Sequence, residues 1–158
     1  MARPIAVLVA LVSLSATAVF AESRASRYCN ERFGQCVDVP AGLAAAPAPV
    51  NGDGASFRGL DGDAFTMTVS ARHNVRAETV AAAMVDATPP DATRIAYRRK
   101  ATNWFVISGV AGDRVFYVKQ FVTPKSISTL RIEYPALQAD RYRALVNRLS
   151  RSFSPATR

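Results

Sequence analysis

The chain of 158 residues has very few of the side chains on which metal and nucleophilic chemistry depend: one histidine and two cysteines. One imidazole and two thiols cannot assemble the usual His and Cys donor sets of a zinc site. No H-E-x-x-H, P-loop or G-x-S-x-G pattern occurs, and no spacing of carboxylates suggests the paired acids of glycoside hydrolysis. His73 lies near Ser70 and Asp86 in sequence, but a triad needs convergence in space. No catalytic residue, metal ligand or cofactor is therefore assigned. Long apolar runs are also missing beyond residue 21, so no membrane span is expected in the rest of the chain. Acidic residues are outnumbered, 12 against 20 Lys and Arg, which leaves a formal charge of +8. A hydrophobic content of 49% excludes wholesale disorder.

Met1 to Ala21 carries a single charge, Arg3, then an apolar stretch, and ends in Val19-Phe20-Ala21. That is the pattern of a secretory signal peptide cut before Glu22, and Ser13, Ser15 and Thr17 dilute it too much for a permanent anchor. Residues 22–158 are then expected to form one α+β domain of net charge +7, placed in the periplasm or secreted. Cys29 and Cys36 would meet oxidising conditions there. They flank a strand–turn–strand stretch with Gly34 in its turn, so a structural disulfide across a hairpin is expected rather than a redox pair.

Apolar alternation and turn residues mark the other elements. Ala41–Val50 reads as a connection lying over the fold. Strands are expected over 55–60 and 64–71, with Phe65, Met67 and Val69 on the buried face. Asn74 is a candidate N-cap for an Ala-rich helix that includes Ala77, Val80, Ala81 and Met84. Four strands joined by short turns follow, over 93–100, 104–110, 115–122 and 127–134, as an antiparallel meander. Tyr97, Trp104 and Tyr117 are expected in the core, or under a partner in an interaction subunit. Tyr142, Leu145, Val146, Leu149 and Phe153 fall on one arc of a final helix, with Arg141, Arg143, Arg148 and Arg151 on the other. The fold class is α+β, a central antiparallel sheet packed by two helices.

The runs RYCNERFGQCVDVP, NGDGASFRGLDGDAFTMTV and IAYRRKATNWFVISGVAGDRVFYVKQFV, followed by LRIEYP, resemble a group of uncharacterised exported bacterial proteins. The order of segments is similar to the PsbP-like fold, an α/β/α sandwich around an antiparallel sheet. The resemblance implies a non-enzymatic accessory or binding module. No photosynthetic cofactor residue is matched, so that role is not implied.

Asn51, Asp53, Asp61 and Asp63 lack the ligand spacing and distal Glu of a calcium loop and read as two β-turns. The charge pattern says more. Residues 22–93 hold six basic and nine acidic residues, whereas 94–158 hold thirteen basic and three acidic, a net +10. Arg94, Arg98 and Lys100 are expected on one face of one strand, with Lys119 and Arg131 on neighbouring strands. Together they are the candidate site for an anionic partner, an envelope component or an acidic protein face. Export separates the chain from nucleic acid. The alternative readings are a solvated, solubilising surface, and a hydrolase whose polar site has no sequence signature.

Overall fold

The computed structural model describes residues 25–59 and 65–155. The signal-peptide stretch, and Asp61 and Asp63 of the acidic turns, lie outside the described residues. The described residues open with strands β1 (Ser26–Cys29) and β2 (Cys36–Val39), paired antiparallel with Cys29 opposite Cys36. A disulfide joins those two cysteines, as the hairpin spacing requires. Gly34 takes the turn at φ 81°, a conformation that a Cβ disfavours.

Strands β3 (Leu43–Ala45), β4 (Gly54–Gly59) and β5 (Thr66–His73) follow. Helix α1 (Val80–Ala87) precedes β6 (Ala92–Lys100), β7 (Trp104–Ala111), β8 (Arg114–Val122) and β9 (Ser126–Pro135). A short 3-10 turn (Ala136–Gln138) leads into helix α2 (Ala139–Ser152). Seven strands form one antiparallel sheet in the order β3-β4-β5-β9-β8-β7-β6. The meander β6–β9 occupies one side, and β5 extends it by pairing with β9.

Period-2 alternation gives the sheet two apolar faces, each packed by one helix. On one face Met67, Val69, Leu130 and Ile132 meet Tyr142, Val146 and Leu149 of α2 and Phe153 just after it, with Val37 and Val39 of β2 beside them. On the other, Phe105, Ile107, Phe116, Val118 and Ile127 meet Ala83 of α1. The small side chain of Ala83 lets α1 lie close.

Two local expectations are corrected. The connection after Pro40 contains β3, whose pairing with β4 satisfies backbone groups that a loose cover would leave to water. The cap of α1 is Thr79, whose side chain accepts from the backbone N–H of Ala82. Buried Asn74 instead holds the loop before the helix. Its amide nitrogen donates to the carbonyls of Glu78 and Thr123, and its oxygen accepts from the Glu78 N–H. The turn at 51–53 is also held by the protein itself: Arg32, Asn30 and Gln35 donate to the carbonyls of Asn51, Gly52 and Asp53. Among the described residues, no helix is long and apolar enough to cross a membrane.

Candidate ligand-binding groove

Directly paired residues in a ladder share a face of the sheet, so register decides which side chains can act together. Tyr97 of β6 pairs with Ser108 of β7, which pairs with Tyr117 of β8. Two residues further along, Arg99 pairs with Val106, and Val106 with Lys119. The next row is Trp104 with Phe121. These are three rows on the α2 face of the sheet: tyrosines, cations, then aromatic rings. Successive rows lie about 7 Å apart along the strands.

Helix α2 packs on β2, β8 and β9 and leaves the β6–β7 end of this face uncovered. Between the helix and the uncovered strands runs a groove of about 590 Å³, within the range of small-molecule sites. The three rows floor it, and α2 adds Arg143, Asn147, Ser150 and Arg151. Among the described residues, none that lines it is a carboxylate.

Lys119 is the least ordinary group in the groove. Its ammonium is half-buried, donates to the Ser150 carbonyl at 2.6 Å and sits 5.1 Å from the centre of the Phe121 ring. Loss of solvation pulls its pKa below the ordinary lysine value. Beside it the Tyr117 hydroxyl bonds Ser150 Oγ at 2.6 Å, and burial outweighs that bond in pushing the hydroxyl's pKa up. The Arg99 guanidinium lies over the Trp104 ring. Among the described residues, neither Lys119, Arg99 nor Arg151 has a carboxylate within ion-pair distance, whereas Arg143 is paired with Asp140. Cations in a partly desolvated, carboxylate-free cleft attract anions more strongly than the same charges spread over open surface.

The five basic residues expected to converge are divided between the two faces. Arg98 pairs with Ile107 and Lys100 with Phe105, on the α1 side. Arg131 pairs with Thr68 and Val118, also on the α1 side, and is held by Glu133 at 2.6 Å. Arg94, opposite Val110, shares the groove's face but does not line the groove. Lys119 alone of the five lines it. The expectation that Arg94, Arg98 and Lys100 share one face is thus corrected. A register shift between Ile95 and Tyr97 reverses the alternation midway along β6.

Tyr97 and Trp104 are also not core residues, whereas Tyr117 packs against the edge of the core. Tyr97 is half-exposed, and the other two are only partly buried along the groove. The legible signal was a repeated aromatic-x-cation spacing in two strands of the meander, Tyr97-x-Arg99 and Tyr117-x-Lys119, which flank β7. His73 sits at the end of β5 with its ring 5.0 Å from that of Phe33, in a shallow depression with Arg32 and Lys125. Among the described residues, no carboxylate lines that depression.

No family model and no curated protein matches the sequence. Among solved structures, the chain is similar to the solution structure of cyanobacterial PsbP (CyanoP) from Synechocystis sp. PCC 6803. The TM-score is 0.62, the match covers 90% of this chain and 98% of that one, and sequence identity is 13%. The chain thus has a PsbP-like fold, as its segment order implied, and at this identity the likeness concerns the fold alone.

Proposed function

We propose that the protein is an exported binding module, processed after Ala21, in which residues 22–158 form one domain that docks an anionic partner in the groove between β6–β8 and α2. The observation that carries this reading is Lys119: a half-buried ammonium, without a carboxylate, among aromatic rings and other cations. The disulfide and the leader-like opening support an oxidising, extracytoplasmic location. Docking needs neither a catalytic imidazole nor a metal, which fits the scarcity of His and Cys in the sequence.

Retention on immobilised polyphosphate tests this, because that polyanion has no rings and reads charge alone. Retention is expected at low salt and should fall steeply as ionic strength rises. Arg99→Ala with Lys119→Ala should abolish most of it, and Arg98→Ala with Arg131→Ala should leave it nearly intact. The opposite ranking would move the docking surface to the α1 side of the sheet. Salt-independent retention, or none, would refute electrostatic docking.

A further inference from the structure

Resting on that reading, we infer that the groove's ligand is an acidic saccharide, with a sugar ring seated between Tyr97 and Tyr117 and a carboxylate or phosphate substituent between Arg99 and Lys119.

The three rows carry the argument. Tyr97 and Tyr117 lie on strands two places apart, about 10 Å between their backbones, with the small side chain of Ser108 as the floor between them. A flat apolar ring face fits such a slot. In the next row Arg99 and Lys119 flank Val106 in the same way, so two cations bracket a point about 7 Å from the tyrosine slot. Trp104 and Phe121 form the next row, with the Arg99 guanidinium over the first ring and the Lys119 ammonium beside the second. An aromatic slot beside a pair of cations matches a sugar ring that carries an anionic substituent. It does not match an inorganic anion or a fatty acyl chain.

The remaining lining has the same character. Ser108, Asn147 and Ser150 are neutral groups suited to hydroxyls, which donate and accept. The Lys119 ammonium gives one proton to the Ser150 carbonyl and keeps two for a ligand. Tyr97, at 50% exposure on the edge strand, presents a ring that no protein group covers fully. A second copy of this chain would bring like charge to like charge in this groove.

The test is a titration read by Trp104, the sole tryptophan, which lines the groove. Trigalacturonic acid is the probe, at moderate salt on the oxidised protein. Maltotriose supplies neutral rings, tricarballylate three carboxylates without rings, and triglutamate an acidic peptide. Trigalacturonate is expected to change Trp104 emission and to bind roughly tenfold or more tightly than any of the other three. Tyr97→Ala and Lys119→Met should each weaken it by roughly tenfold, and Tyr97→Phe, which keeps the ring, should not. If tricarballylate or triglutamate binds as tightly through Lys119, the saccharide assignment is overturned and anion docking stands. If maltotriose binds equally well, the charge row has no part in recognition. Loss of affinity in Tyr97→Phe equal to that in Tyr97→Ala overturns the ring slot. If none of the four binds and polyphosphate is not retained, both readings fall.

Discussion

Lys119 combines a cost to folding with a use in binding. Burial disfavours its charged form, so its pKa falls below the usual 10.5. The unfolded chain keeps that proton to higher pH than the folded one. The resulting stability deficit is present at neutral pH and disappears as pH rises through the depressed value toward 10.5. Lys119→Met removes this deficit together with the bond to the Ser150 carbonyl. Its melting temperature at neutral pH should equal or exceed that of the parent, while polyphosphate retention falls. A fall of many degrees would instead make Lys119 a structural residue. Anion binding should weaken as pH climbs through the same window, because the neutral amine loses its attraction. Burial pushes the Tyr117 hydroxyl's pKa up, so it keeps its proton longer. A binding titration at constant ionic strength checks the direction.

At the scale of elements, the outcome is decided at β6. Helix α2 was legible because its apolar arc and its arginines repeat at one period for four turns. The meander was legible because short turns separate its strands, β7 is apolar on both faces and β9 alternates from Leu130 to Tyr134. Strand β6 also alternates on paper, but its register shifts at Ala92/Arg94 and Ile95/Tyr97. A bulge is an agreement between two strands, and a single sequence shows only one side of it. The groove was hidden for the same reason, since its rows exist only once the register is fixed. Gly109 keeps β6 in place: a Cβ there would lie 2.1 Å from the Arg94 carbonyl oxygen and 3.0 Å from the Phe116 ring. Gly109→Ala is therefore expected to displace β6 and destabilise the fold by about 1–3 kcal/mol. Urea unfolding measures that loss, and the Trp104 titration should weaken with it, because Tyr97 and Arg99 travel with β6.

Across the whole molecule, the polarity of charge along the chain is not a polarity of surface. The basic C-terminal half is wound through both faces of the sheet, so Arg98, Lys100 and Arg131 lie on the opposite side from Arg99 and Lys119. The disulfide hairpin acts at a distance from these charges but not independently of them. Cys36 and Ser154 exchange backbone hydrogen bonds, and the Asp38 N–H donates to Ser152 Oγ, so the hairpin fixes the end of α2 beside Ser150 and Arg151. Closing a loop of this size restricts the unfolded chain by about 2–3 kcal/mol. Cys29→Ser with Cys36→Ser should lose about that much stability in urea. Reductant should bring the parent protein to the same midpoint and leave the double variant unchanged.

The central claim is that the α2-side groove, and not the basic surface at large, receives the anionic ligand. Amide chemical-shift mapping of the nitrogen-15-labelled protein, titrated with trigalacturonic acid, tests it most directly. The largest shifts are expected at Tyr97, Arg99, Val106, Ser108, Lys119 and Ser150, saturating together, with α1 and Arg114 unmoved. Shifts centred on α1 and Arg131, or scattered over all basic positions without saturation, would contradict it.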